Sequence, residues 1–505
     1  MNLPLITRAE ENNERIAIFT DEGAFTYQDL LHISSQMATR LLNHTEDLQE
    51  QRVAFLIPPG FEYVVTQWGI WRAGGIAVPL CISHPRPELE YVITNSGASI
   101  IIAHPNFEDI LRPLATEQNL RFILTSETLL DHVGHLPEID ITRRALILYT
   151  SGTTGKAKGV VTTHQNIQAQ VTSLITAWEW TSSDRILHVL PLHHIHGIIN
   201  VLTCALWAGA ECHMLSKFDA EVVWQRICDS DLTLFMAVPT IYVKLIAAWE
   251  NASKERQKTM SASCAKMRLM VSGSAALPVQ VLEKWQKISG HFLLERYGMT
   301  EIGMALSNPL HGQRYSGYVG QPLPQVEVRL VDETGEIVPP GSPGEIQVKS
   351  PGVFLEYWQN SQATAKAFRD GWFCTGDFAI VENGNYRILG RMSVDIIKTG
   401  GYKVSALEIE EVLRTHPDIQ ECAVVGVADP EWGERVCAAL VLRSQCQLTL
   451  ESFRKWAKEQ LAVYKVPTRI LIVEELPRNA MGKVTKPTVV EIFRTSSALN
   501  YSDSQ

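Results

Sequence analysis

No two cysteines in this 505-residue chain stand in C-x-x-C spacing, and the nine present are odd in number and scattered. Cys81, Cys204, Cys212, Cys228, Cys264, Cys374, Cys422, Cys437 and Cys446 therefore argue against a zinc ribbon or a disulfide scaffold and fit a reducing compartment. A basic run is missing too. Lys plus Arg number 45 against 55 for Asp plus Glu, a net charge of −10, so the electrostatic footprint of a nucleic-acid binder is lacking. Long apolar runs are also wanting: the most membrane-like stretch, Gly197 to Ala210, is about 14 residues interrupted by Asn200 and Thr203, where a span needs roughly 20. The start, Met1-Asn-Leu-Pro-Leu-Ile, has no basic n-region, and Glu10, Glu11 and Glu14 do not suit an Arg-rich transit sequence. The expectation is a cytoplasmic protein without a membrane span or a nucleic-acid partner. No period of 20–50 residues repeats, which argues against a solenoid.

What is present is globular: 45% hydrophobic and 20% charged residues, enough chain for several domains. The middle alternates buried strands with helices. Ala145-Leu-Ile-Leu-Tyr149, Thr233 to Val238 and Met267 to Val271 read as strands. Pro239 opens a helix through Glu250, and Pro278 opens another reaching Gly290. Strand, loop and helix in series predict α/β layers around a largely parallel sheet. From Val319 the pattern shifts to short alternating strands, such as Val326–Val331 and Gly344–Lys349, punctuated by Pro339-Pro-Gly341 and Gly371. Beyond Arg391 an S-x-x-E capping box, Ser405 to Glu408, precedes a helix over Leu407–Arg414. Strands over Cys422–Val427 and Val436–Leu442, a helix over Leu450–Gln460 and a strand ending at Glu475 ahead of Lys483 follow. The fold class read from this is α/β. A large N-terminal domain, 1–391, holds layered α/β subdomains and a small β-barrel-like subdomain at about 319–390. A small mobile α+β domain occupies 392–505.

Chemistry concentrates in loops. Thr150-Ser-Gly-Thr-Thr-Gly-Lys-Ala-Lys-Gly159 lies between two strands and combines inward-turning backbone N–H groups, hydroxyls and two lysines, the requirements of polyphosphate binding. It is not a Walker A loop, because Thr150 stands where that motif has glycine and Ala157 where it has Ser or Thr. The histidines His193, His194 and His196 follow an apolar strand, Ile186–Leu190, with no fourth ligand in sight, so zinc is disfavoured.

With Tyr149 before it, this loop resembles the phosphate loop of the adenylate-forming acyl-CoA synthetases, relatives of peptide-synthetase adenylation domains and luciferases. Ala157 replaces the usual proline. Further segments follow in the family's order: Pro191-Leu-His-His-Ile-His-Gly197, Gly273-Ser-Ala275, Arg296-Tyr-Gly-Met-Thr-Glu301, Thr375-Gly-Asp377, Gly390-Arg391 and Pro477-Arg-Asn-Ala-Met-Gly-Lys483. The resemblance covers nearly the whole chain. It implies that a carboxylate and ATP give an acyl-adenylate and pyrophosphate, after which the CoA thiolate releases AMP.

The resemblance also implies roles. Thr150, Ser151, Gly152, Thr153, Thr154, Gly155, Lys156 and Lys158 cradle phosphates. Gly273, Ser274, Ala275, Tyr297 and Gly298 receive the adenine, with the Tyr297 ring stacked on it. Asp377 accepts from the ribose hydroxyls, and Arg391 contacts ribose or phosphate at the edge of the hinge. Thr300 and Glu301 stand at the metal position, Glu301 holding Mg²⁺ between phosphates. Lys483 is the invading lysine that offsets charge on the pentavalent phosphorus. His194 and Met304 line the acyl pocket, and Gly400 and Gly401 lie beside the pantetheine. The hinge of the family usually runs Gly-Arg-x-x-Asp; here Gly390-Arg-Met-Ser-Val-Asp395 has one more residue, leaving Ser393 or Val394 as pivot.

Arg296 selects among acids. The stretch Glu295 to Pro309 resembles the malonyl-CoA synthetase branch, where the arginine pairs with the second carboxylate of the substrate. A buried dicarboxylate leaves one unreacting charge, and a guanidinium is its natural partner. Malonate or methylmalonate is therefore the expected acid. A medium-chain or aryl acid, and a carrier-protein pantetheine in place of free CoA, remain open alternatives.

Overall fold

The computed structural model describes residues 3–127, 133–150, 157–400, 402–443, 446, 448–478 and 482–501. The chain divides into two compact units, residues 1–328 with 348–373, and residues 329–347 with 374–505. The boundary passes through the strands Glu327–Val331, Gly344–Lys349 and Trp372–Glu382, so the β-rich stretch 319–390 is shared between units. Residues 392–505 all belong to the second unit.

The first unit is the expected α/β layering, with two sheets. In one, the strands Leu294–Met299, Leu269–Ser272, Leu234–Ala237, Arg185–His188, Glu211–Met214 and Ile16–Thr20 lie parallel in that spatial order. Antiparallel neighbours finish both edges. In the other, Arg121–Leu124, Ile100–Ala103, Arg52–Leu56, Ile76–Pro79 and Arg144–Thr150 run parallel, and Lys158–Thr163 pairs antiparallel with the last of these. Leu234–Ala237, Leu269–Ser272, Ile76–Pro79 and Ile100–Ala103 are buried at every position, as strands covered on both faces must be. The apolar stretch after His196 does not run through lipid. It is a wide helical segment, His196–Thr203, continuing as Cys204–Ala208, buried in the first unit, with the Thr203 hydroxyl donating to Ile198 O at 2.7 Å. No helix among the described residues is long and apolar enough to cross a membrane.

Anchors hold the strands whose ends carry the site. The Tyr242 hydroxyl, on the helix Pro239–Asn251, donates to Val271 O at 2.9 Å, and its ring meets Trp285 edge-on at 5.0 Å. Just before Leu269–Ser272, Arg268 donates to both oxygens of Asp184 at 2.7 Å, and the Thr233 hydroxyl donates to the same carboxylate. Burial would raise the Asp184 pKa, but these hydrogen bonds and the Thr181 N–H outweigh it and hold the carboxyl below its ordinary value. Asp184→Asn should therefore cost about 3 kcal/mol, the low end for breaking a buried pair because Arg268 is partly exposed. A depressed folded pKa means that this contribution is complete above the ordinary aspartate range and lost as pH falls through the folded value. Thermal unfolding at neutral and acid pH should show wild type and variant converging in acid; an unchanged gap would show that the pair does not carry the effect.

In the second unit, Tyr402–Ser405, Ile396–Thr399, Gly433–Leu442 and Ile419–Asp429 form an antiparallel sheet, with Arg469–Ile472 parallel to Gly433–Leu442. Period-2 alternation along Ile419–Asp429 serves two cores. Cys422 and Val424 pack with the helices Ala406–Leu413 and Leu450–Gln460, while Ala423, Val425 and Val427 pack with Val489 and Phe493 of Lys486–Tyr501. Two local expectations change. Ser405 caps Glu408 N–H at 3.2 Å, but the Glu408 carboxylate goes to Lys465 at 2.7 Å, so the capping box is half formed. The strand before Lys483 ends at Ile472, not Glu475.

Candidate active site

The loop that contains Ser151, Gly152, Thr153, Thr154, Gly155 and Lys156 lies outside the described residues, but its two ends are fixed. Thr150 and Lys158 face each other as the last pair of an antiparallel hairpin, and the Tyr149 hydroxyl donates to Asn95 Oδ1 at 2.7 Å. The Lys158 ammonium stands 5.0 Å over the ring of Tyr357. The hydroxyl of that tyrosine donates to Glu301 Oε1 at 2.8 Å, and Glu301 O accepts from Phe354 N–H at 2.7 Å. Glu301 is thus buried and aimed beside the base of the phosphate loop. Sequence reasoning missed Tyr357: Leu355-Glu-Tyr-Trp358 carries no spacing that marks it, and only the pairing of Glu356–Tyr357 with Lys158–Thr163 brings it here. One carboxylate of this kind suits Mg²⁺, which takes one or two carboxylates together with substrate phosphates.

Arg296 and Tyr297 belong to the strand Leu294–Met299, which turns at Thr300–Glu301 into Gly303–Ser307. Neighbours on a strand point to opposite faces. Arg296 therefore reaches its surroundings away from the Tyr297 ring, not beside it. Its guanidinium lies on Gly273, where an added Cβ would fall 2.5 Å from Cζ, and Nη2 donates to the Ser274 hydroxyl at 3.3 Å. Ser274 takes a left-handed φ of 67°, and its hydroxyl lies 3.2 Å from His196 Nδ1. Ala275 follows in the same turn.

Arg296 is 3% exposed, its buried Nε has no hydrogen-bond partner, and no carboxylate pairs with it among the described residues. Burial pulls its pKa down to about 9. A guanidinium placed so can pair with an anion. Met304 is buried on the adjoining strand and packs over Gly298, where an added Cβ would meet its Cε at 2.5 Å.

The Pro191–Gly197 turn is tight, since a Cβ on Gly197 would fall 2.4 Å from Pro191 O. His188 Nε2 lies 3.0 Å from Gly197 O, and the His194 ring meets that of His193 at a tilt, with centroids 4.1 Å apart. Burial lowers the pKa of His188 and His193 to about 4, so both rings are neutral at physiological pH.

In the second unit the two proposed ribose contacts find each other. Asp377 and Arg391 are register partners on the hairpin Trp372–Glu382 and Asn385–Arg391, with Arg391 Nε 2.8 Å from Asp377 Oδ1. Ser393 lies in the turn after Arg391, where Val394 and Asp395 N–H both donate to Arg391 O. Gly400, at φ 53°, lies against the Trp432 ring, and Gly401 is outside the described residues. Lys483 is exposed on a hairpin closed by the Arg478–Val484 bridge.

The AMP-binding enzyme family matches residues 5–358, and the AMP-binding enzyme C-terminal domain matches residues 408–483. The chain belongs to the AMP-binding enzyme family. Asp377, Arg391, Ser393 and Gly400 fall between the two matched segments, while Lys483 is the last residue of the second. The mitochondrial malonate–CoA ligase of Xenopus laevis is 46% identical over 97% of this chain and 92% of its own length. The malonate–CoA ligase of Arabidopsis thaliana is 41% identical over 95% of this chain and 86% of its own. The crystal structure of ATP-bound MatB from Rhodopseudomonas palustris superposes with a TM-score of 0.90 at 33% identity, covering 98% of this chain and 99% of that one.

Proposed function

We propose that the protein is an ATP-dependent malonate–CoA ligase. Malonate and ATP form malonyl-adenylate and pyrophosphate, and the CoA thiolate then displaces AMP. The observation that carries the choice of acid is the buried Arg296, a cation held by Gly273 and Ser274 with no carboxylate of its own among the described residues. The second carboxylate of malonate, or of methylmalonate, fills that role and keeps the reacting carboxylate free. Relatives named malonate–CoA ligases support the acid and free CoA as the acceptor over a carrier-protein pantetheine.

The roles of the remaining residues belong to the proposal. The Thr150–Lys158 loop holds the phosphates. Tyr297 stacks on adenine over Gly273–Ala275 and Gly298. Asp377, oriented by Arg391, accepts from the ribose hydroxyls. His194 and Met304 bound the acyl pocket, and Gly400 and Gly401 admit the pantetheine. Mg²⁺ held at Thr300–Glu301 supplies neutralisation of phosphate charge when bound. A cytoplasmic location is also proposed, from the odd number of scattered cysteines without C-x-x-C spacing; cell fractionation separates it from the compartment in the Xenopus relative's name.

The test is pyrophosphate release by the purified enzyme with malonate, methylmalonate, succinate, octanoate and benzoate, each with and without CoA. Malonate or methylmalonate should lead. If octanoate or benzoate turns over faster, the acid is a fatty or aryl one.

The residues from 392 onward are proposed to turn as a body between the two half-reactions, pivoting at Ser393 or Val394. Ser393→Pro fixes φ there while leaving both N–H bonds to Arg391 O in place. It should slow thioester formation more than adenylation. Equal slowing would put the pivot elsewhere.

A further inference from the structure

Lys486 is the first residue of the helix Lys486–Tyr501 and is 8% exposed. Its ammonium lies 2.6 Å from Asp395 Oδ1 and 2.8 Å from Glu410 Oε1. Glu410 also accepts Val424 N–H at 2.8 Å and faces Arg414 at 3.3 Å, and Arg414 reaches Glu411 at 3.3 Å, so Lys486 and Glu410 are the buried centre of a wider ionic network. Burial alone would lower the Lys486 pKa, but Glu410 and Asp395 outweigh it and leave the value raised. Replacing such an ionic set as a whole by well-packed apolar side chains is often neutral for stability. What the ionic contacts add is geometry.

That geometry joins two segments 91 residues apart. On one side, Asp395 grips the edge of the hinge: its Oδ2 accepts Arg391 N–H at 3.0 Å, and its own N–H donates to Arg391 O at 2.7 Å. Its carbonyl accepts Ala406 N–H at 2.7 Å, tying in the start of the next helix. Gly390, at φ 122°, makes room, since a Cβ there would fall 2.3 Å from Asp395 Cβ. On the other side, Lys486 follows Lys483 by three residues. Arg478 holds Gly482 O at 2.7 Å and Glu421 at 2.7 Å, and Thr485 N–H donates to Pro477 O at 2.8 Å. The base of the Lys483 hairpin is pinned at Arg478 by one ion pair and beyond Thr485 by the Lys486 cluster.

We propose that Lys486 is a positioning residue: through Asp395 and Glu410 it fastens the loop carrying Lys483 to Asp395, the residue just after the pivot, so that the lysine moves as one piece with the start of the turning body. The role rests on the reading of Lys483 as the adenylation charge. Removing the clasp leaves Lys483 present but unplaced, and a misplacement of about 1 Å can cost roughly 10²-fold in rate.

The experiment compares wild type, Lys486→Met and Lys486→Arg as full chains. Two readouts are used. Hydrogen exchange follows peptides covering 391–395 and 482–489. Kinetics follows malonate-dependent ATP–pyrophosphate exchange beside CoA attack on supplied malonyl-adenylate. In Lys486→Met, protection should fall in both peptides together, and exchange kcat should drop roughly tenfold or more with the ATP KM within about twofold, because geometry and not binding is lost. Attack on supplied adenylate should change little, and Lys486→Arg should recover part of the kcat loss. Protection lost from 482–489 alone, or equal loss in both half-reactions, would overturn the coupling. Should Lys486→Met fail to fold, Asp395→Asn, which leaves Lys486 paired with Glu410, reads the same link. A wild type without exchange on any acid would sink the ligase reading, and the protection pattern would still decide the clasp.

Discussion

Lys483→Ala is expected to bring carboxylate-dependent ATP–pyrophosphate exchange close to background while largely sparing CoA attack on supplied acyl-adenylate. As the carboxylate oxygen closes on the α-phosphorus, negative charge gathers on the pentavalent centre and on the departing pyrophosphate. A fixed ammonium offsets charge that develops in that step, so it lowers the barrier more than it tightens binding of ATP. Loss of one such preorganised group costs about 10²–10³-fold in kcat. The second half-reaction expels AMP from a carbonyl carbon and builds no charge at phosphorus beyond what AMP carries, so its demand for the lysine is small. Lys483→Arg should recover little, because a planar fork does not reproduce a compact point charge. Steady-state exchange and single-turnover thioester formation check this together. Equal losses in both would make Lys483 a structural residue and would remove the division of labour on which the proposed domain rotation stands.

Much of the fold was legible because its signals are local. A Pro at the first helical turn marked Pro239–Asn251, and apolar runs ending in Gly/Ser turns marked Arg144–Thr150 and Leu269–Ser272. What was not legible depends on register and on partners far away in sequence. The spacing S-x-x-E cannot tell that Lys465 takes Glu408 from its cap. Nothing in the order Arg296-Tyr297 tells that strand alternation sets the two on opposite faces and that Gly273 gives Arg296 its seat. Asp377 and Arg391 are each recognisable as site candidates, but that they form a pair follows only from hairpin register. Tyr357 and Lys486 show the limit most plainly. A tyrosine and a lysine with no motif around them acquire meaning from Glu301 in one case and from Asp395 and Glu410 in the other.

Arg296→Ala should separate malonate from monocarboxylates. At 3% exposure the guanidinium is shielded from solvent, so its attraction to an anion is weakly screened, and its Nε still lacks an acceptor. Burial lowers the Arg296 pKa to about 9, and in the proposed complex the distal carboxylate of malonate offsets that cost. Removing one partner of a buried, hydrogen-bonded pair costs about 3–5 kcal/mol, or roughly 10²–10³-fold in binding. The variant should therefore lose about that factor in kcat/KM for malonate. Butyrate, which has no second charge, gains from the change: in wild type it would leave the buried Arg296 without an anion, and in the variant that cost is gone. Its kcat/KM should hold or rise. Arg296→Lys keeps the charge but loses the fork that meets Ser274 and a carboxylate together, so it should fall between. The measurement is kcat/KM for malonate and butyrate in wild type and both variants. If the two acids lose equally, Arg296 supports only Gly273–Ser274 and the nucleotide beside them. The argument for a dicarboxylate would then fail, and a fatty or aryl acid would take its place.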